Sequence, residues 1–102
     1  MIHVIAEIGL VAGMRDRFIA EFNRVAPLVR AESGCIEYVA AMDTRTGIER
    51  QAPVRADLVT VIEKWDSESA LAAHLSAPHM DVHRSNSRDL VASTAIHILA
   101  PA

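Results

Sequence analysis

Three of the five histidines, His74, His79 and His83, fall within ten residues of one another. An imidazole titrates near neutral pH, so each could act as a general base or acid without a large environmental shift. His74 stands between Leu71 and Leu75 at helical spacing, either aimed into a pocket or half-buried and satisfied by a backbone carbonyl. His79 follows Pro78 at the start of a helical turn, where the positive helix end favours the neutral ring and suits it to accept a proton. The alternative is a solvated helix-end cap. His79 and His83 are four residues apart and could share a helix face as metal ligands, but no third ligand stands at a telling distance, and no metal is expected.

A second group lies on the run Val61-Ile62-Glu63-Lys64-Trp65. Glu63 alternates onto the same side as Val61 and Trp65, and a carboxylate among apolar neighbours has its pKa raised towards the range of a general base. Its plainer role is a cross-strand pair with an arginine. Trp65 offers either core mass or a flat wall for an aromatic ligand. Tyr38 could donate to a substrate oxygen or rim a subunit interface. Cys35, directly after Gly34, reads as a small buried apolar residue rather than a nucleophile. The catalytic candidates are thus His74, His79 and Glu63; Trp65, Tyr38 and His83 are the candidates for holding a substrate.

The elements that must position these residues follow from hydrophobic period. Residues 2–11 alternate, with Ile2, Val4, Ala6, Ile8 and Leu10 on one face, and form a strand. From Met14 the period lengthens: Met14, Phe18, Phe22, Val25 and Val29 make an amphipathic helix, with Glu21 and Arg24 off the stripe. Pro27 predicts a kink or a restart within it. Gly34 ends that helix, residues 35–43 form a second strand, and residues 58–65 form a third. Asp66 or Ser67 caps a short helix running to Ala77. Residues 79–90 make a weaker helical piece with Met80, His83, Ser87 and Leu90 in line, and residues 92–99 are the last strand. The connection 44–57 is long for a hairpin and could cover a pocket or reach a partner.

The order β-α-β-β-α-β predicts an α+β, ferredoxin-like fold with helices on one face of a four-stranded antiparallel sheet. The other face should then carry polar residues at alternate positions. It does not: the third strand sets Leu58, Thr60, Ile62 and Lys64 against Val59, Val61, Glu63 and Trp65. The fourth sets Thr94, Ile96 and Ile98 against Ala95, His97 and Leu99. A second copy stacked across a two-fold axis would cover the open face, so a homodimer is expected.

The whole chain, 102 residues at net charge −3 with 51% apolar content, fits one domain. That charge excludes a basic nucleic-acid binder, and so few aromatics give no stacking platform for single strands. One cysteine excludes an internal disulfide framework and a four-cysteine zinc site. No phosphate-cradling glycine loop and no G-x-S-x-G elbow is present. No apolar run long enough to span a membrane and no basic leader stands in the sequence, so no membrane partner and a cytoplasmic location are expected.

Three stretches together resemble the antibiotic biosynthesis monooxygenase family. They are Glu32-Ser33-Gly34-Cys35-Ile36-Glu37-Tyr38, then Val61 to Ser67, then Ala70-Leu71-Ala72-Ala73-His74 with Ser76-Ala77-Pro78-His79. The resemblance implies a dimeric α+β barrel and a cofactor-independent monooxygenase. Its substrate would be a small electron-rich aromatic such as a quinol, and dioxygen would be the co-substrate. Departures narrow it. Haem-degrading relatives are expected to carry an Asn in the first strand, where Glu7 and Ile8 stand here, and a Trp where His74 stands. His83 falls one residue out of register with their haem ligand. Polyketide-oxidising relatives place an Asn at the position of Val61. A non-oxidative isomerase or small-molecule binder on the same barrel is the alternative from another class.

Overall fold

The structure, a computed structural model, describes residues 1–102. Its elements run β1 (Ile2–Leu10), α1 (Arg15–Arg30), β2 (Cys35–Ala41), β3 (Leu58–Trp65), α2 (Glu68–Leu75), α3 (Pro78–Ser87) and β4 (Val91–Leu99). The strands form one antiparallel sheet in the order β2-β3-β1-β4, the ferredoxin-like arrangement. The second helical unit is divided in two, because Ser76 and Ala77 close α2 and Pro78 restarts the chain at the first position of α3, where a missing N–H costs nothing.

Pro27 does not divide α1, which runs through it to Arg30. Pro27 is exposed, and only the bond its own nitrogen would have made is lost. The expected stripe is buried as Phe18, Phe22, Val25, Ala26 and Val29. After α1 the chain reverses at Gly34, whose φ of +84° lies in the left-handed region. A Cβ there would come within 2.5 Å of Asp66 Oδ1 and 2.6 Å of Ala70 Cβ, so only glycine lets this turn lie against the start of α2. The Asp66 N–H donates to the Gly34 carbonyl at 2.9 Å and fixes that approach. Ser67 caps α2, its hydroxyl accepting from the Ala70 N–H at 3.1 Å.

Strand register sorts the side chains. Val4, Ala6 and Ile8 share a level with Glu63, Val61 and Val59 of β3, and with Ile98, Ile96 and Thr94 of β4. On the central strands this face lies beneath the helices and forms the core. β4 departs from the core pattern: at this edge Ile96 and Ile98, though on the helix side, are about half exposed. The opposite face carries Ile5, Val39, Ile62 and His97 in register, with Leu99 opposite His3, beside Glu7, Thr60 and Lys64. The 42–57 connection is tied to that side: Arg55 bridges Asp43 at 2.8 Å and Glu7 at 2.5 Å. No helix is long and apolar enough to cross a membrane.

Candidate active site

All four aromatic residues gather between the helices and the sheet, each at most 4% exposed. Tyr38 stacks on Phe22, ring centres 5.0 Å apart, and meets the His74 ring edge-on at 5.6 Å. Trp65 packs on the other side of His74 at 4.7 Å. One helical turn earlier on α1, Phe18 meets His83 edge-on at 6.0 Å. This column flanks a cavity of about 440 Å³, open towards the β4 edge and walled by Ala6, Val61, Met80 and Ile96. Its polar lining is provided by His74, Glu63, Tyr38 and His83, with Arg84, Ser87, Arg88 and Thr94 towards the C-terminal half of α3 and the start of β4. A cavity of this size, with apolar walls and polar groups gathered among them, fits a one- or two-ring ligand.

His74 is the most enclosed of the histidines, 1% exposed. Its Nδ1 lies 2.9 Å from Glu32 Oε2. An ionised carboxylate only accepts, so this contact places the proton on Nδ1 and leaves the Nε2 lone pair on the far side of the ring. Nε2 stands 3.9 Å from Glu63 Oε1, beyond direct hydrogen-bond reach, where both residues line the cavity. The Trp65 indole N–H donates to the same Glu63 oxygen at 3.0 Å. Burial raises the Glu63 pKa, and the Glu32 charge adds to this, while the Trp65 hydrogen bond and nearby His74 pull against it. Burial likewise pushes the Tyr38 phenol well above its ordinary range, with the Glu63 and Glu32 carboxylates acting in the same direction. Tyr38 therefore stays neutral.

The structure decides between the alternatives left open for the remaining candidates. Trp65 is fully buried behind His74 and touches no part of the cavity wall; it holds Glu63 rather than facing a ligand. Glu63 pairs with no arginine. His79 is no cavity residue: its Nε2 lies 2.7 Å from Glu32 Oε2, so Glu32 bridges the two rings from outside the cavity. His79 and His83 turn to different carboxylates despite their helical spacing. The 44–57 connection contributes nothing to the cavity wall. Cys35 is half-buried, its thiol pushed up by burial and by the nearby carboxylates Glu32 and Glu63, which disfavours the thiolate a nucleophile needs.

Two carboxylates emerge that the sequence reading did not single out as site residues. Glu32 enters there only as the first letter of a motif, and Glu21 only as a residue off the apolar stripe. Glu21 Oε2 lies 2.5 Å from His83 Nδ1, while Oε1 accepts from Asn86 at 2.8 Å and Arg24 at 2.6 Å. A usable signal existed for Glu21: it precedes Phe22 and borders the buried stripe, where a carboxylate must find partners.

Glu32, His74 and His79 also place three possible metal-ligand atoms within 4.8 Å of one another. Ligands around a tetrahedral ion at ~2.1 Å stand roughly 3.4 Å apart. The observed carboxylate–imidazole separations of 2.9 and 2.7 Å are hydrogen-bond lengths instead. The cluster is a carboxylate shared between two imidazole N–H groups.

Residues 1–85 match the antibiotic biosynthesis monooxygenase family. The chain belongs to that family. It is 34% identical over 103 residues to an Escherichia coli K12 protein named Probable quinol monooxygenase YgiN, covering 99% of this chain and 98% of that one. Among solved structures, Rv0793 from Mycobacterium tuberculosis superimposes with a TM-score of 0.81 at 24% identity, covering 99% of this chain and 94% of the other. PA3566 from Pseudomonas aeruginosa does so with a TM-score of 0.80 at 23% identity, covering 99% and 93%. These two likenesses establish the fold. Membership in the family and the curated relative make the chain an enzyme of the monooxygenase type.

Proposed function

We propose that the protein is a cofactor-independent monooxygenase that oxidises a small quinol with dioxygen, using His74 as the general base. The observation that carries this reading is the Glu32–His74 pair, with Nδ1 tied to a partly exposed carboxylate and the opposite nitrogen at the aromatic-flanked cavity. A carboxylate in that place fixes the ring's tautomer and stabilises the imidazolium that forms when Nε2 takes a proton. The name of the E. coli relative supports a quinol as substrate.

In this chemistry the substrate supplies the electrons. His74 Nε2 removes a hydroxyl proton, and the quinolate passes one electron to dioxygen. Recombination of the radical pair forms a carbon–oxygen bond beside the ionised carbon, and protonation by the imidazolium gives a hydroperoxide. Loss of the ring C–H proton then breaks the O–O bond and expels hydroxide, which is protonated to water. The balance is quinol plus dioxygen to hydroxyquinone plus water. Glu63, whose pKa burial raises, stands beside His74 to hold or return a proton. The apolar walls Ala6, Val61 and Met80 limit the water that reaches the anion at the inner end of the cavity. His79 acts through Glu32 rather than on the substrate.

The uncovered sheet face supports a homodimer. Ile5, Val39 and Ile62 lie side by side on it with Leu99 one same-face position further along β4, and a second sheet would bury them. Sedimentation at micromolar concentration should give two chains; a monomer would remove this part of the reading.

An oxygen electrode with a panel of benzo- and naphthoquinols tests the chemistry. The expected result is oxygen uptake above autoxidation, one dioxygen per quinol, with no oxygen returned on adding catalase. Returned oxygen would mean peroxide release, hence simple oxidation. No uptake above background with any quinol would leave isomerisation or binding as the role of the cavity.

A further inference from the structure

The cavity has a second histidine–carboxylate pair. His83 is buried on α3, its Nδ1 is held by Glu21 of α1, and its ring lines the same cavity as His74. The two rings face different aromatic partners: His74 lies between Trp65 and Tyr38, and His83 lies against Phe18. Phe18 precedes Phe22, the partner of Tyr38, by about one helical turn, so the two pairs follow one another along the cavity. An aromatic 1,4-diol carries its two oxygens on opposite ends of the ring. We propose that His83, positioned by Glu21, is a second proton acceptor, and that the cavity takes an aromatic 1,4-diol with one hydroxyl at each imidazole.

This rests on the quinol reading above and deepens it. In a substrate with one acidic group, the second pair would have no proton to take. With a 1,4-diol, His83 Nε2 takes the outer hydroxyl proton while His74 takes the inner one. The dianion is a far stronger electron donor to dioxygen than the monoanion. Of the two protons stored on the imidazoles, one goes to the peroxide and the other to the expelled hydroxide, which completes the water. The ring C–H proton ends on the product hydroxyl, so no proton is left over.

The surroundings of His83 suit this task. Burial alone would raise Glu21, but hydrogen bonds from Arg24, His83 and Asn86 prevail and hold it down to about 2, so it is a standing anion. Other charged groups bear on the site: Arg24 reaches Glu21 from α1, and Arg84 of α3, which also pairs with Asp81, and Arg88 just past the end of α3 line the cavity. The sheet and α2 bring only Glu63 and His74, both at the other pair. The two arginines favour an oxyanion at this end.

The test compares 1,4-dihydroxynaphthalene with its monomethyl ether. Under nitrogen, ultraviolet difference spectra of the wild type should show both hydroxyls of the diol ionised on binding, at a pH where the free quinol is neutral. In air, His83→Gln should lower diol turnover about 10²-fold. It should leave ionisation of the bound monoether unchanged, whereas His74→Ala should abolish that ionisation. Glu21→Gln should weaken diol ionisation and be partly rescued by raising the pH. The proposal fails if the bound diol shows one ionised hydroxyl in the wild type, or if His83→Gln depresses the diol and the monoether alike. Should His83→Gln not fold, the wild-type spectrum still decides. If no quinol is turned over by the wild type, the quinol reading falls, while the anaerobic spectrum separately decides whether His83 takes a proton.

Discussion

Glu32 and Glu21 both hold a histidine, but they do so with different company. Glu32 sits in the turn between α1 and β2, and two imidazole N–H groups share one of its oxygens. Glu21 sits within α1 and is clamped by Arg24, Asn86 and His83 through both oxygens. The first pair has no permanently charged partner. A proton arriving on His74 therefore changes the local charge balance sharply, as a working base requires. The second pair carries a guanidinium as well, so its carboxylate is already compensated before His83 gains a proton. The difference separates two proton-accepting pairs, one without any permanent cation and the other strongly structured by one. Both also belong to stability: each ties α1 or its following turn to α2 or α3.

The largest expected effect breaks the first pair. His74→Ala should lower turnover by roughly 10²–10⁴-fold, the range removed with a general base. Glu32→Gln keeps the shape of the carboxylate but loses its charge, and should cost about tenfold, with a steeper dependence on pH. Steady-state rates with circular dichroism as a folding check would measure both. Equal rates for His74→Ala and the wild type would remove His74 from the chemistry.

The next effect sharpens the contrast through stability against pH. Glu21 has its pKa lowered to about 2 in the folded chain. Its contribution, on the order of 2 kcal/mol, is present above the unfolded value near 4.5 and lost as pH falls towards 2. Glu63 is raised, so the sign reverses: its contribution is complete below the unfolded value and lost as pH climbs through the raised folded one. Glu21→Gln should therefore flatten the acid side of a urea-midpoint profile. Glu63→Gln should flatten the decline above the ordinary carboxylate range and raise the midpoint at neutral pH. Parallel curves for either variant and the wild type would contradict the assignment.

How much of this was legible in the sequence depends on range. Met80, His83, Ser87 and Leu90 could be placed in one line from helical period, and all four are buried. Glu63 could be placed beside Val61 and Trp65 from strand alternation, and all three face the core. Those inferences need only local geometry. The pairing of Glu21 with His83 spans 62 residues and that of Glu32 with His74 spans 42, and no local period encodes either. Trp65 was legible as large and buried, but its choice between core and wall was made by α2, which sets His74 over it. Pro27 misled because its effect depends on which side of the helix faces water. The surplus of apolar residues was legible as uncovered surface, and β4 carries part of it, with Ile96 and Ile98 exposed on the helix side and Leu99 on the other face.

The smallest effect tests whether the guanidinium is what makes the second pair structured. Arg24 is substantially exposed, and its bridge to Glu21 at 2.6 Å joins residues three apart on one helix. Exposed pairs of this kind add little to stability at neutral pH, because water and salt screen them and the long side chain loses freedom. Arg24→Ala should accordingly leave the neutral urea midpoint nearly unchanged. Its signature lies in acid: without the guanidinium, burial acts on Glu21 against fewer hydrogen bonds, so the acid loss of stability should begin at higher pH. The same loss makes Glu21 more like Glu32, a carboxylate stabilised by imidazole contacts without a permanent cation. A Glu21 carboxyl titration by NMR that does not move upward in Arg24→Ala would assign the clamp to Asn86 and His83 alone.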